Sequence, residues 1–131
     1  MKTEPETFGW NDLEREGKTT WDGVRNYQAR NNMQLMKAGD LVLIYHSVSD
    51  KEIVGIGKIS REAYPDPTIE DERWKAVDVV PFLKLQKPVS LKQIKTTEGL
   101  ENIALLKQSR LSVMPLKKEE FDVLLSLAEK V

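Results

Sequence analysis

The sequence contains no cysteine and a single histidine, His46. The first absence excludes disulfides, thiolate zinc sites and cysteine nucleophiles. The second argues against a histidine-based metal centre, so neither metal nor cofactor is expected. There is no run of about 18 apolar residues, and nothing is expected to span a membrane. The opening Met1-Lys2-Thr3-Glu4-Pro5 lacks the apolar stretch of a secretory signal. A cytoplasmic location is the expectation. Net charge is only −1, which argues against a protein that coats nucleic acid by bulk attraction. Aromatics are 7% of the chain, and Phe121 is the only ring after Phe82.

What is present is concentrated between Trp21 and Met33. This stretch, Trp-Asp-Gly-Val-Arg-Asn-Tyr-Gln-Ala-Arg-Asn-Asn-Met, holds two cations, four side-chain amides, two rings and one acid. A segment built only to fold would carry more Leu, Ile and Val. Arginine and the amides read base edges through paired hydrogen bonds. Tryptophan and tyrosine offer faces on which an unstacked base can lie. The combination points to a planar polar ligand, with a nucleobase as the leading candidate. A second feature is the segment from Lys84 to Lys118, which has eight basic residues against Glu98 and Glu101. Such a face can hold a phosphate backbone while the whole molecule stays near neutral. It can equally be a solvated lysine-rich surface.

The 131 residues fit one domain with one core, spanning 1–131. Met1 to Glu4 reads as a short strand stopped by Pro5. Thr7 is placed to cap a helix through Glu16, ended by Gly17. Asn26 to Met36 reads as a second helix. Leu41 to Tyr45 is a continuous apolar run, as in a strand buried on both faces. Ser47 to Glu52 is a polar loop. Ile53 to Ile59 is a strand whose Gly55 and Gly57 mark a bend or a close approach. Residues 63–68 form a proline-set loop. Ala76 to Leu85 is a strand with Val77, Val79, Leu83 and Leu85 on one face, and Pro81 in it demands an edge or a bulge. Ser90 caps a short helix through Lys95. Leu111 to Val113 is a short strand, and Lys117 to Glu129 is an amphipathic helix carrying Phe121, Leu124, Leu125 and Ala128. Few, short strands joined by loops and short helices predict an α+β domain with a strongly twisted, mostly antiparallel sheet.

Six stretches are similar to the EVE domain family: Lys2 to Pro5, Trp21 to Asn32, Tyr45-His46-Ser47, Ala63 to Thr68, Pro88 to Leu91 and Arg110 to Val113. They run in order over essentially the whole chain. Thr3 departs from the family, which more often has serine there, and the sparse aromatics of the last third are a second departure. The resemblance implies a PUA-like fold, a small pseudo-barrel flanked by helices, and kinship with YTH-type domains that hold a modified base in an aromatic pocket. It implies a non-catalytic reader of 5-methylcytosine or 5-hydroxymethylcytosine in DNA, captured by base flipping. Alternatives are a modified nucleotide in RNA such as tRNA, or a nucleoside sensor. The expected partner is nucleic acid, DNA favoured over RNA, with an unidentified effector protein and no membrane.

Among individual residues, Trp21 is the expected stacking surface, whereas Trp10 and Trp74 read as core. Asp22 is the natural partner of Arg25, and Gly23 supplies a positive φ or a close backbone approach. Arg25 and Asn26 are the best edge readers, although Asn26 also reads as a helix cap. Arg30 reads as a phosphate contact or a surface residue. Tyr45, His46 and Ser47 leave a buried strand for a loop, a junction suited to ligand contact. His46 fits a hydrogen-bonding wall better than a catalyst, since no nucleophile or orienting partner accompanies it. Lys2, Thr3 and Glu4 are raised by the resemblance alone. Glu4, or Asp66 between its two prolines, can accept a proton from an exocyclic amino group. Arg110 and Ser112 fall in the basic segment, at phosphate or at the pocket rim.

Overall fold

A computed structural model describes residues 1–48 and 50–129; Ser49, within the loop expected at Ser47 to Glu52, and Lys130 and Val131 lie outside the described residues. The chain runs β1 (Lys2–Thr3), α1 (Trp10–Glu16), β2 (Thr19–Trp21), α2 (Tyr27–Gln34), β3 (Leu41–His46), β4 (Glu52–Pro65), β5 (Lys75–Ser90), α3 (Leu91–Lys95), α4 (Ala104–Lys107) and α5 (Lys118–Glu129). The strands form one sheet in the order β1-β3-β4-β5-β2. Only the β1–β3 pair is parallel. Among the described residues no helix is long and apolar enough to cross a membrane.

The apolar run Leu41 to Tyr45 explains why the sheet is covered on both sides. Val42 and Ile44 face one core with Trp10, Met33 and Val79. Leu43 and Tyr45 face the other with Leu85, Ile94 and Leu124. A strand buried on two faces must be apolar at every position.

Gly55 marks the close approach read from the sequence. A Cβ there would lie 2.6 Å from the ring of Trp10, so the indole of α1 lies flat against the strand. Pro81 sits where the β4–β5 ladder slips, since Gly57 faces Pro81 but Ile56 faces Leu83. The extra residue on β5 reverses the alternation beyond it. This overturns the expectation that four residues share a face: Val77 and Val79 enter one core, Leu85 the other, and Leu83 is 54% exposed.

Three local expectations are corrected. Helix α1 starts at Trp10 rather than after Thr7. Its exposed amides are met by the Asp12 carboxylate, which accepts from Gly9 N at 2.7 Å, and by His46 Nε2, which accepts from Trp10 N at 3.0 Å. Trp21 lies in a strand, not merely before a turn. Leu111 to Val113 is not a strand, and its link to β1 is one bond from Lys2 N to the Ser112 carbonyl.

Candidate functional site

The two edge strands of the sheet do not pair with each other, yet they wall the same cleft. Lys2, Thr3 and Glu4 come from β1 and the turn after it; Thr19, Thr20 and Trp21 come from β2, followed by Asp22 and Gly23. The sheet has curled until its first and last strands face across a cleft of about 630 Å³, which leaves the seam of the barrel open. Phe8 and Trp21 are the rings in this cleft.

The stretch that follows Trp21 is held by a charged clamp at Gly23 and Arg25. Asp66 is buried, and its two oxygens accept four hydrogen bonds: from Gly23 N (2.9 Å), Arg25 Nη1 (2.9 Å), Thr68 N (2.7 Å) and Thr68 Oγ1 (2.6 Å). Burial pushes its carboxyl upward, but the Thr68 hydroxyl, the Arg25 guanidinium and the two backbone amides outweigh it and hold the group far below the usual carboxylate range. Asp66 is therefore not a free acceptor for a base, as the sequence had it; it ties Gly23, just past the end of β2, to Thr68 in the segment after β4, which runs to Pro65 and so takes in the first half of the loop expected at 63–68. Gly23 has φ +76, the conformation glycine tolerates best.

Arg25 is committed to the same clamp. Besides Asp66 it donates to the Val24 carbonyl at 3.0 Å, and its guanidinium lies 5.7 Å from the centre of the Trp74 ring. The expected Asp22–Arg25 pair is replaced by Arg25–Asp66, and Asp22 is left exposed. Trp74, expected in the core, stacks instead on Tyr27 with centroids 5.0 Å apart. Arg30 lies over the other partner of this stack, 4.9 Å from the Tyr27 centroid, and donates to the Arg73 carbonyl. These contacts brace the start of α2 against residues 66–75. Asn26 caps α2 by accepting from Ala29 N at 2.9 Å.

The Tyr45-His46-Ser47 group does not line the cleft. Tyr45 turns into the second core, because its neighbours Ile44 and His46 take the other face. His46 Nε2 accepts the Trp10 amide at the start of α1, and its Nδ1 lies 3.8 Å from an Asp50 carboxylate oxygen. Ser47 donates from Oγ and from its backbone N to the Thr3 carbonyl. Ser112 offers its carbonyl to Lys2 N, and Ser109 offers its own to Lys2 Nζ at 2.8 Å. Burial lowers the Lys2 pKa. Arg110 is exposed, with no ion pair among the described residues. Of the twelve residues singled out, Lys2, Thr3, Glu4 and Trp21 line the cleft; the others hold its walls or lie outside it.

Sequence reasoning missed Thr7, Phe8, Glu16, Thr19 and Thr20 on the cleft wall. Only Phe8 carried a signal, as a ring between the Lys2-to-Pro5 motif and α1. The cleft is acidic, with the exposed carboxylates of Glu4, Glu16 and Asp22 against the engaged Lys2 ammonium. It suits a ligand with amino-group donors and repels phosphate.

A model of the EVE domain matches residues 1–127. This chain belongs to the EVE family. Thymocyte nuclear protein 1 of Mus musculus is 39% identical over 163 aligned residues, covering 98% of this chain and 72% of the relative. A crystal structure of an Agrobacterium tumefaciens protein superposes with a TM-score of 0.96 at 38% identity, covering 98% of this chain and 90% of that one. Human THYN1 in complex with 5-methylcytosine-containing DNA superposes with a TM-score of 0.92 at 36% identity, covering 100% of this chain and 96% of that one. The ASCH protein of Zymomonas mobilis shares the fold alone, at 19% identity and a TM-score of 0.62 over 97% of this chain and 92% of that one. The EVE fold here is the PUA-like arrangement expected from the sequence, with an open seam between β1 and β2.

Proposed function

We propose that this EVE domain reads a modified cytosine in DNA, 5-methylcytosine foremost, by receiving the flipped base in the β1–β2 cleft. The observation that carries this is the composition of the seam: two rings, threonine hydroxyls, and exposed carboxylates at Glu4 and Asp22 with no hydrogen-bond partner among the described residues. The human relative's complex with 5-methylcytosine-containing DNA supports the same reading. Extruding a base costs a few kcal/mol. Stacking on Trp21 returns roughly 1–3 kcal/mol, and a carboxylate accepting from the cytosine amino group adds to it. The acidic cleft admits the base and leaves its phosphates outside. A methyl group in a fitted apolar spot is worth about 1–3 kcal/mol, enough for preference rather than absolute discrimination.

Binding without chemistry is part of the proposal. The lone imidazole is occupied by a helix amide, and Asp66 is saturated by four donors, so neither is poised as a base. An effector protein would supply any downstream output.

The test is fluorescence anisotropy at one fixed salt concentration. Duplexes carry cytosine, 5-methylcytosine or 5-hydroxymethylcytosine at one position, with matching RNA as a further probe. A preference of about tenfold, or 1.4 kcal/mol, for a modified duplex is expected. Equal affinity for every probe would reject base capture, and tighter binding to RNA would reject the DNA assignment.

A further inference from the structure

A second cavity lies on the opposite face of β3, between the end of α2, residues 103–116 and α5. It is open to solvent on one side and has a volume of about 730 Å³, within the range of small-molecule sites. We propose that it binds a neutral amphipathic small molecule, an apolar body bearing one carbonyl or hydroxyl that pairs with the Tyr45 hydroxyl.

The lining supplies the apolar part of this argument. Leu43, Ile53, Phe121 and Leu124 form the interior, with Met36 and Met114 beside them. Methionines adapt their shape to what they touch. Leu35 and Leu41 also line the cavity and are 74% and 41% exposed, which places them at its mouth.

Tyr45 supplies the polar part. Its side chain lines the cavity, and the residue is only 7% exposed. Its hydroxyl has no hydrogen-bond partner among the described residues. Among the described residues the side-chain polar atom that is both unpartnered and sealed from outside is Trp10 Nε1, so the hydroxyl of Tyr45, a residue of the cavity lining, stays accessible. No protein group among the described residues meets this hydroxyl, so it is left for a ligand or water to pair. Burial raises the phenol's pKa, which keeps it protonated at neutral pH and able both to donate and to accept.

Charge selects a neutral occupant. Lys2, Asp40 and Lys118 reach the cavity wall, but each is engaged elsewhere. Lys2 Nζ donates to the Ser109 carbonyl, Asp40 accepts from Lys37 N, and Lys118 pairs with Asp122. Asp40 and Lys118 are exposed and Lys2 is half-buried, so these charges stand at the rim and the apolar interior favours a neutral occupant.

The proposal is independent of base reading and is tested without nucleic acid. The full chain, with labelled Met, Leu and Ile methyls, is titrated with 2-naphthol and with naphthalene and followed by NMR. Saturable shifts at Met36, Met114 and Leu41 are expected for both probes. Tyr45→Phe removes a hydroxyl that bonds nothing in the protein, so its thermal transition should stay in place. It should weaken 2-naphthol about threefold to tenfold and leave naphthalene unchanged. Met36→Trp, which fills the cavity, should abolish both. No saturable shift in the folded wild type, or equal loss of both probes in Tyr45→Phe, would overturn the proposal. Concentration-dependent shifts of the same methyls without probe would also overturn it, since a second copy would then cover the face.

Discussion

The two sides of Trp21 contain the same kinds of side chain and use them in opposite ways. On the clamp side, Asp66 and Arg25 spend their hydrogen bonds on each other, on Thr68 and on the turn at Gly23. On the cleft side, Glu4 and Asp22 are exposed acids with no such bonds among the described residues. A carboxylate that is fully bonded inside the protein shapes a site, and one left unbonded on its wall is free to contact a ligand. Residue type alone does not separate these roles, and only the count of partners does.

The contrast is broken most severely at Asp66. Replacing it with alanine leaves Arg25 without its buried partner and strands the Gly23 and Thr68 amides. Removing one member of a buried pair costs about 3–5 kcal/mol, and Arg25 is partly exposed, so the lower end is expected. Urea unfolding should show this as a lowered midpoint, and DNA binding should fall with it because the turn carrying Trp21 loses its anchor. Gly55→Ala tests the scaffold behind the cleft. The added methyl meets the Trp10 ring at 2.6 Å, and overpacking of this kind costs about 1–3 kcal/mol, read as a drop in Tm.

Trp21→Ala should separate the two sides. It removes roughly 1–3 kcal/mol of stacking from binding, measured by anisotropy on the modified duplex. Some stability will also be lost, because the ring packs partly on the core, but less than for Asp66→Ala. Glu4→Gln is the mildest and sharpest test. An exposed change of this kind should leave stability within about 0.5 kcal/mol, while binding of the modified duplex should weaken severalfold. A stability loss at Glu4 as large as at Asp66 would erase the distinction.

The same asymmetry sets a pH response. Asp66 has its folded pKa lowered, so its contribution is fully present above the ordinary, unfolded carboxylate pKa and is lost as pH falls toward the depressed folded value. The clamp should therefore hold unchanged from neutral pH down to the ordinary carboxylate range. Stability followed by circular dichroism should decline only below that range, and Asp66→Asn should flatten the decline. Asp71 is lowered to about 2 by the Arg73 side chain and amide beside it, but Arg73 is exposed, so solvent screens the pair and its titration should contribute little.

The parts of this molecule that sequence reading reached were local. The apolar run of β3, the Asn26 cap and the closeness at Gly55 each announce themselves within a few residues. The clamp could not be read, because Gly23 and Arg25 meet Asp66 across 43 and 41 positions. The mate of Arg25 looked like Asp22, three residues away, since proximity in sequence was the only guide. β2 is three residues long, too short for a period of two to declare itself. The bulge at Pro81 sent Leu83 outward against the alternation that predicted it inside. Tyr45 fell on the wrong side of the sheet for a related reason: position at a strand end suggests reach toward a ligand, while the face is decided by the sheet around it.

The central claim is that the open seam between β1 and β2 receives the modified base against Trp21. The chain has three tryptophans, so three indole N–H resonances report separately in a nitrogen-15 spectrum titrated with a duplex carrying one 5-methylcytosine. The account predicts a saturable shift of the Trp21 indole, with Trp10 nearly silent in the core and an affinity about tenfold weaker for the unmodified duplex. A titration that moved Trp74 and left Trp21 unmoved, or that moved Trp21 equally with both duplexes, would contradict it.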